Sequence, residues 1–494
     1  MKFRHLQIKG YKNICSCDIE FTEAPLINAI IGSNGSGKSN LIEAIIQILI
    51  GCYFKKPPQF EFRFEFEAQN RVIVLQREGR RASVTVDGAG MPLDRFAKRL
   101  CDGPAQVFYP ELTLIYYSGE CHRVQRLVAR YRRHFQKLTR NPETDRFRPL
   151  FVQTSNEQSQ IILLSLFAHG HQHVLEHLNL EQIEDVKIVL RSPDGFDPGL
   201  HEPKLWNTEG AIRRIVAALD ETSTTHDAFG LLDIPPEISK EGGLRRHRPA
   251  KPMERSYWFA DDSNKGLYAF AKRLELAGEN VYLALESLRA RGLLRSVSFR
   301  LKGRNAEDSF PFEQLSEGEK QLVAVIGALT LTNQKDNLVL LDEPDTHLNP
   351  HWSWDYPSML VEAFGSEQLS HSTVLMATHD PVMISGMTRE QVLLAHTPHA
   401  DRPLFSRPHR NPRGQGVANL LCSSEFFGLP SSLDKETQKL IDERLAISIK
   451  QQLSDRDKAR LKALNEQLEI QPGVSERDPD YVAFLRERHA PNQS

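Results

Sequence analysis

The sequence predicts an α/β fold in which a parallel sheet presents polar residues at the ends of its buried strands. Residues 26–31, 338–341 and 373–377 are apolar runs of the length expected for such strands. The first run leads through a glycine-rich loop, residues 32–39, into an amphipathic helical segment, and the other two end in polar residues. Buried strands that alternate with helices indicate a parallel sheet with its functional residues at one edge.

The glycine-rich loop has the context that a phosphate-binding loop requires, because it follows a strand and opens a helix. Its glycines allow backbone N–H groups to turn inward and surround phosphate oxygens at a helix N-terminus. Lys38 is placed to reach the terminal phosphates of ATP or GTP, and the Ser39 hydroxyl is placed to bind Mg²⁺. The predicted nucleotide-binding residues of the loop are Gly32, Ser33, Asn34, Gly35, Ser36, Gly37, Lys38 and Ser39.

Three later segments supply the remaining predicted site residues. Asp342 follows the second apolar run and is expected to hold Mg²⁺ together with Ser39, while Glu343 can polarise a water molecule toward the γ-phosphate. His379 follows the third run and can sense the same phosphate, so we predict Glu343 and His379 as the catalytic residues. Ser316 and Gly318 precede a helical segment and can donate hydrogen bonds to a γ-phosphate.

In this order the motifs resemble those of the ATP-binding-cassette (ABC) ATPases, specifically the branch that includes the SMC and RecF proteins. The resemblance implies that residues 315–319 are the signature motif, that residues 343–350 continue into a D-loop, and that His379 is the switch histidine. It also implies ATP and Mg²⁺ as cofactors and a homo-oligomer with head-to-tail ATP sites, because in that superfamily one subunit's signature completes another subunit's site. The glutamine that links nucleotide to the helical lobe stays open among Gln125, Gln153, Gln158 and Gln160.

Sequence patterns predict an ABC two-lobe fold in four regions, with a helical insert and a helical C-terminal extension. Residues 1–118 form the first lobe, whose alternating segments predict an antiparallel side sheet. Residues 119–295 form a helical subdomain with a variable insertion, residues 296–400 the second lobe, and residues 401–494 a helical accessory region. No heptad pattern is sustained between the phosphate loop and the signature, so we predict no long coiled coil.

Composition predicts a cytoplasmic protein without a membrane segment. The 62 basic and 64 acidic residues nearly cancel, so net charge indicates neither nucleic acid nor a membrane as partner. No uninterrupted apolar stretch reaches the length of a membrane span. The six cysteines are scattered, which favours reduced thiols over a disulfide framework or a zinc site.

Two further segments allow alternative interpretations. Residues 122–140 carry seven Lys or Arg residues and no acid, which fits a DNA or RNA backbone contact, a solvated helix, or a helix against an acidic subunit surface. His173 and His177 are one helical turn apart and could bind a metal ion. No cysteine or carboxylate cluster completes that set, so the sequence favours histidines on a helix surface.

The tail, with residues 414–429 as its most distinctive part, resembles the ATPases of bacterial antiphage Septu systems and their retron-linked relatives. Residues 114–120 and 158–166 carry the same resemblance. It implies an ATP-driven regulatory subunit of a defence complex whose separate nuclease, of the HNH type, cuts DNA. Asp455 and Asp457 spell part of a fused nuclease motif, but no apolar strand precedes them. The alternative function is a RecF-like repair ATPase that acts as a nucleotide-dependent DNA clamp.

Overall fold

A computed structural model gives the structure of the protein. It describes residues 1–21, 25–102, 108–118, 122–138, 149–192, 210–226, 254–259, 264–334, 336–368, 371–397, 404–450 and 452–468. The chain forms two compact units, Met1–Gly414 and Gln415–Ser494. The predicted division into four regions stays a prediction, and most of the predicted variable insertion lies outside the described residues.

The strands follow one another along the chain as β1 (Lys2–Tyr11), β2 (Ile14–Glu20), β3 (Ile27–Gly32), β4 (Glu61–Ala68), β5 (Arg71–Glu78), β6 (Arg81–Val86), β7 (Ala89–Met91), β8 (Leu112–Tyr117), β9 (Phe151–Thr154), β10 (Leu180–Arg191), β11 (Thr225–His226), β12 (Glu254–Phe259), β13 (Leu294–Gly303), β14 (Phe310–Pro311), β15 (Asn337–Asp342), β16 (Thr373–Ala377), β17 (Val392–Ala395) and β18 (Phe405–Ser406).

The helices are α1 (Lys38–Tyr53), α2 (Leu93–Asp102), α3 (His122–Leu138), α4 (Ser159–His169), α5 (Gln172–His177), α6 (Gly210–Thr222), α7 (Lys265–Glu275), α8 (Val281–Ala290), α9 (Glu317–Leu322), α10 (Ala328–Thr332), α11 (Pro350–Gln368), α12 (Pro381–Ile384), α13 (Val417–Cys422), α14 (Lys435–Ser448) and α15 (Asp455–Gln467). A π-helical turn, Val323–Gly327, joins α9 to α10.

The central sheet has seven strands in the order β18-β17-β3-β16-β15-β8-β9. All neighbouring strands in it are parallel except β17 and β18. All residues of β8, β15 and β16 are buried, because helices and the antiparallel side sheet cover the two faces of the central sheet. Asp342 pairs in register with Ala377 on one side and Tyr117 on the other, so these strands end at the same edge. The predicted α/β class with a parallel sheet is confirmed.

The predicted antiparallel side sheet is also present, with strand order β2-β1-β4-β5-β6-β7. In β4, Phe62, Phe64 and Phe66 are buried and alternate with more exposed charged residues, as expected for a strand with one face on the core. Helix α1 packs between this sheet and the central sheet, and its apolar residues join one core with both. That packing fixes the start of α1, and therefore the glycine-rich loop, against two sheets.

The region between the lobes is less purely helical than predicted. A five-stranded antiparallel sheet, in the order β11-β12-β10-β13-β14, accompanies helices α4 to α8. Strand β10 escaped prediction because its two-residue alternation shifts register between Glu184 and Lys187, where Asp185 has a positive φ of 52°. Among the described residues the longest helix has 19 residues, in agreement with the absence of a long coiled coil.

The C-terminal unit is helical, as predicted, and consists of α13, α14 and α15 in its described part. Asp434 caps α14 and Ser454 caps α15. Residues 469–494, the end of the predicted helical accessory region, lie outside the described residues. In the part of the chain that is described, no helix is long and apolar enough to cross a membrane.

Candidate active site

The glycine-rich loop connects the end of β3 at Gly32 to the start of α1 at Lys38. Gly37 immediately precedes the helix with a φ of 102°, a conformation that glycine adopts without strain. A side chain at Gly32 would place its Cβ 2.2 Å from the carbonyl oxygen of Ala395. The loop therefore needs glycine at position 37 for its backbone conformation and at position 32 because no space is left for a side chain.

Asn13, in the turn between β1 and β2, supports the loop from outside. Its Nδ2 donates a hydrogen bond to the Gly35 carbonyl at 2.6 Å, and its Oδ1 accepts one from Asn40 Nδ2 at 2.7 Å. A Cβ on Gly37 would lie 3.2 Å from the same Oδ1. Asn13 was not predictable, because its contact with the loop arises only when the side sheet packs against α1.

Lys38 is folded back onto the loop that it is predicted to serve. Its Nζ donates hydrogen bonds to the carbonyl oxygens of Gly32 at 2.9 Å and Ser33 at 3.3 Å. Burial lowers the pKa of Lys38, and the nearby carboxylates of Glu343 and Asp342 oppose that change. The Lys38 ammonium group therefore donates to neutral carbonyl oxygens, which the charged oxygens of a phosphate can replace.

The two predicted Mg²⁺ ligands meet in the structure, although 303 positions separate them in the sequence. Ser39 Oγ donates a hydrogen bond to Asp342 Oδ1 at 2.9 Å. Burial raises the pKa of Asp342 from 3.8 to about 6, although the Ser39 hydrogen bond acts in the opposite direction. A hydroxyl and a carboxylate suit Mg²⁺, which takes oxygen ligands and completes its shell with substrate phosphates and water.

Glu343 and His379 also come together, with 3.2 Å between Glu343 Oε1 and His379 Nε2. Glu343 has a positive φ of 51°, which is uncommon for a residue other than glycine and is found most often at functional sites. Burial, and then the Lys38 cation, lower the pKa of His379 from 6.5, so the imidazole is neutral at pH 7. The geometry places a carboxylate and a neutral histidine next to the lysine and metal-binding residues.

The predicted signature motif starts α9. Ser316 is the N-cap, and its Oγ accepts a hydrogen bond from the Glu319 N–H at 3.2 Å. The Glu319 carboxylate in turn accepts from the Ser316 N–H at 2.7 Å and from its hydroxyl at 2.8 Å. This reciprocal capping box orders the turn. No hydrogen bond joins Ser316 to residues 32–39 within the described chain.

Gly318 allows the signature to approach the D-loop of its own chain. A Cβ at this position would lie 2.4 Å from the His347 carbonyl oxygen, so even alanine would collide with the backbone. Gln321 Nε2, one turn further along, donates a hydrogen bond to the Pro344 carbonyl oxygen. The signature helix and the D-loop are therefore packed together as a single edge.

Two residues absent from the sequence prediction complete this edge. The Ser118 N–H donates to the Asp342 carbonyl at 3.0 Å, and Ser118 Oγ donates to Thr346 Oγ1 at 2.8 Å. Thr346 Oγ1 donates to the Glu343 carbonyl at 2.9 Å. Ser118 follows β8, the strand beside β15, so the sheet order would have identified it had the pairing been known.

The four candidates for the glutamine that links nucleotide to the helical lobe have different surroundings in the structure. Gln125, Gln153 and Gln158 line one polar cavity, whereas Gln160 is not part of its lining. Gln158 has structural partners, because its Oε1 accepts from the Ser155 N–H at 3.0 Å and its Nε2 donates to Glu286 at 3.4 Å. The structure therefore narrows the choice without assigning the linking glutamine.

The histidine segment has structural contacts. His169 Nδ1 lies 2.8 Å from Glu275 Oε1, and His169 Nε2 accepts from the Val281 N–H at 3.1 Å. His177 lies 3.5 Å from a carboxylate oxygen of Glu362. Among the described residues no group of three His, Cys, Asp or Glu side chains could hold a metal ion. His173 is exposed and His177 partly exposed, as expected for histidines on a helix surface, whereas the His169 side chain is buried, with 7% exposure.

We expect the Asp342→Asn variant to stabilise the chain without nucleotide at pH 8. A pKa raised from 3.8 to about 6 means that the ionised carboxylate costs up to about 3 kcal/mol above pH 6. Asparagine keeps an acceptor for Ser39 and removes that charge. Below pH 3.8 Asp342 is protonated in both the folded and the unfolded chain. The gain in the free energy of unfolding should therefore disappear as the pH falls from about 6 to below 3.8.

Urea unfolding of the two proteins at pH 8 and at the lowest pH where both fold measures this effect. Asp94→Asn, a change at an exposed carboxylate, is the matched control and should shift neither curve. An equal gain at both pH values, or a loss at pH 8, would show that burial of the Asp342 charge is not the cause.

Two family models match this chain. Residues 5–205 match the model described as an AAA domain, and residues 224–385 match the model described as an AAA domain, putative AbiEii toxin, Type IV TA system. The first match contains the glycine-rich loop and the second contains Asp342, Glu343 and His379, which supports ATPase activity.

The proteins that this chain is similar to include a Septu protein, a probable retron ATPase and a DNA replication and repair protein. It is similar to the Septu protein PtuA of Bacillus mycoides, with 24% identity over 163 residues, 32% of this chain and 22% of that protein. It is similar to the Retron Vc95 probable ATPase of Vibrio cholerae, with 28% identity over 138 residues, 26% of each chain. The DNA replication and repair protein RecF of Lacticaseibacillus casei is 47% identical over 45 residues, 9% of this chain and 12% of that protein. The chain thus spans about a quarter of the length of the first two relatives.

Among solved structures, the SMC head bound to the C-terminal winged-helix domain of ScpA aligns with a TM-score of 0.34 and 15% identity. That alignment covers 81% of this chain and 95% of the other. The Pyrococcus furiosus Smc head domain bound to ScpA gives a TM-score of 0.33 and 13% identity, over 80% and 94% of the two chains. Both scores are low, and the fold assignment rests on the strand order and the site.

Proposed function

We propose that this chain is the ATP-hydrolysing regulatory subunit of a cytoplasmic antiphage defence complex and that it controls a separate nuclease subunit. The observation that carries the hydrolytic part is the convergence of Lys38, the Ser39–Asp342 pair and the Glu343–His379 pair at one sheet edge. Similarity to the Septu protein PtuA and to a retron ATPase supports the defence context.

The residues at this edge divide the work of hydrolysis. Lys38 would exchange its carbonyl partners for phosphate oxygens, and Ser39 and Asp342 would hold Mg²⁺, which would neutralise phosphate charge. Glu343 accepts the proton of the attacking water, because its carboxylate is a proton acceptor directly after Asp342, and His379 Nε2 lies 3.2 Å from its Oε1. His379 donates from Nε2, fixes the Glu343 side chain and senses the γ-phosphate.

The oligomer is part of the same proposal. Residues 32–39 would surround a nucleotide from one side, while Ser316 is engaged in its own capping box and forms no hydrogen bond with them in the described part of the chain. Two copies arranged head to tail would bring the signature of one to the nucleotide of the other. Two helix N-termini on opposite sides of one triphosphate stabilise its charge better than one.

The nuclease activity is assigned to a second protein, of the HNH type. Asp455 and Asp457, the residues that resemble a nuclease motif in spelling, lie in the first turn of α15. Asp457 accepts hydrogen bonds from the Ser454 N–H at 3.1 Å and from its hydroxyl at 2.7 Å. These acids cap a helix, so this chain is proposed to regulate cutting rather than to perform it.

A RecF-like DNA clamp is the second candidate, and the surface of α3 favours it. Val124, Val128 and Tyr131 are buried, whereas Arg126 and Arg133 are exposed. The exposed arginines form a basic face that can contact phosphates. Residues 139–140, which end the predicted basic stripe, lie outside the described residues. The short similarity to a RecF protein agrees with this candidate.

One experiment separates the two candidates. The chain is expressed with its neighbouring genes and purified, and the isolated chain is titrated with duplex DNA at several salt concentrations. Co-elution of an HNH protein, with DNA binding unchanged in Arg126→Gln/Arg133→Gln, supports the regulatory subunit. Purification of the chain alone, with a salt slope reduced by roughly two in that variant, supports the clamp, because each phosphate contact contributes about 0.9 to the slope.

A further inference from the structure

A polar cavity of about 370 Å³ lies where β8 and β9 end, at the same side of the central sheet as the ATPase residues. Pockets for small ligands measure roughly 300–1,000 Å³, so this volume is in the range of a binding site. Residues 116–118, the turn at residues 155–158 and His347 of the D-loop line it, together with α3 and α8. Apart from the unassigned linking glutamine, for which Gln125, Gln153 and Gln158 are candidates, no role described so far uses this cavity.

Helix α3 forms one wall with Gln125, Ala129 and Arg132. These positions are four and three residues apart, so they lie on one helix face, and Ala129 leaves space between the two longer side chains. Arg132 is thus turned away from the exposed arginines of the same helix. On the opposite wall Arg289 is held by Glu286 through two hydrogen bonds of 2.8 Å.

Arg132 is a half-buried cation without a fixed counter-ion. In the part of the chain that the structure describes, it forms neither a hydrogen bond nor an ion pair. Burial and the neighbouring Arg289 cation lower the pKa of Arg132, while the Glu286 carboxylate raises it, and a guanidinium remains charged at neutral pH. Glu157 also lines the cavity, at an exposed position. Because Arg132 has no hydrogen-bonded partner of its own among the described residues, its N–H groups favour an anionic ligand with oxygen acceptors.

The rest of the lining is rich in side-chain amides. Gln153 has no hydrogen-bond partner among the described residues, and Gln125 interacts with His122 at 3.2 Å on the exposed surface. An amide presents a donor and an acceptor together, which is the arrangement that pairs with the edge of a nucleobase. An arginine can bind the phosphate of a nucleotide, and side-chain amides can bind its base.

We infer that this cavity is a second nucleotide site, in which Arg132 binds a 5′-phosphate and Gln125 and Gln153 contact the base. The ligand is either a free mononucleotide or the 5′-terminal nucleotide of a nucleic-acid strand. The site is distinct from the glycine-rich loop, because none of residues 32–39 lines it.

The cavity is connected to the ATPase edge through two contacts. Asn156, in its lining, donates a hydrogen bond to Glu317 of the signature at 2.9 Å. His347, also in the lining, provides the carbonyl against which Gly318 packs. A bound nucleotide would therefore touch both the D-loop and the residue next to Ser316, which gives the site a route to influence the signature turn.

The test uses the full chain carrying Lys38→Ala and measures binding by calorimetry. The probes are AMP, which lacks the phosphates that Lys38 reaches, and a 5′-phosphorylated deoxydinucleotide. Saturable binding of AMP identifies a free mononucleotide as ligand, and binding of the dinucleotide alone identifies a strand end. If neither probe binds at millimolar concentration, the inference is wrong.

Matched variants locate the binding. Adding Arg132→Ala should weaken binding by roughly ten- to hundredfold, the effect of losing a charged hydrogen-bonding partner, while Arg80→Ala removes an equal charge from the exposed turn between β5 and β6 and should change nothing. Gln125→Leu, at an exposed position, should also weaken binding and tests the site if Arg132→Ala fails to fold. Equal affinities in the Arg132, Gln125 and Arg80 variants would overturn the assignment.

Discussion

Lys38→Ala is expected to abolish ATP binding at concentrations that saturate the unchanged protein. Lys38 is the buried ammonium of the loop, and its carbonyl partners at Gly32 and Ser33 cannot bind phosphate in its place. Charged hydrogen bonds contribute about 1.5–3 kcal/mol each, so loss of two weakens binding by at least about a hundredfold. Calorimetric titration with ATP and Mg²⁺ measures the effect.

A matched control is Lys56→Ala, which removes an exposed lysine just beyond α1. It should bind ATP normally, and both variants should unfold in the same range of denaturant. If Lys38→Ala retains the affinity of the unchanged chain, the loop is not the nucleotide site and the proposed function fails with it.

The same variant tests whether sites are shared between copies. Ser316→Arg fills the signature turn with a large cation and should inactivate the site that this turn completes. Each variant alone should be inactive, but a mixture should regain part of the ATPase rate, because one head-to-tail pair can combine an intact loop with an intact signature. A mixture as inactive as its components would indicate that nucleotide is enclosed by a single copy.

Glu343→Gln is expected to retain ATP and to hydrolyse it roughly 10²–10³-fold more slowly, the scale for loss of a general base. Glutamine has nearly the same shape as glutamate and can still contact His379 Nε2. In the unchanged protein this atom lies 3.2 Å from the Glu343 carboxylate. It cannot accept a proton from water. The measurement is phosphate release under saturating ATP, together with the ATP affinity of the variant.

The control for this prediction is Glu362→Gln, at an exposed carboxylate on α11 that contacts His177. Its turnover should equal that of the unchanged protein. The assignment of Glu343 would be wrong if Glu343→Gln hydrolysed ATP at the full rate. A loss of ATP affinity without a change in turnover would instead make Glu343 a binding residue.

The sequence was informative about the catalytic edge because each of its motifs is local. Lys38, Asp342 and His379 each follow an apolar run, and parallel strands must bring such ends to one edge. The order of the motifs therefore predicted which residues would meet. The 2.9 Å contact between Ser39 and Asp342 is the product of that topology.

The supporting residues were not predictable in the same way. Asn13, Ser118 and Thr346 touch the site through hydrogen bonds whose partners are distant in sequence or depend on strand order. Asparagine, serine and threonine are common in turns for local reasons, so their identity alone carries no signal. Strand β10 was missed for a related reason, since a shift of register removes the alternation by which strands are recognised.

The hydroxyl and N–H of Ser316 already satisfy a negative group, the carboxylate of Glu319, before any second copy arrives. Capture of a neighbour's triphosphate by this turn would therefore exchange one anion for another. The net gain in free energy is then much smaller than the number of new bonds suggests. An interface built on such an exchange would open readily once the incoming charge departs, which fits the proposed head-to-tail assembly and its release after hydrolysis.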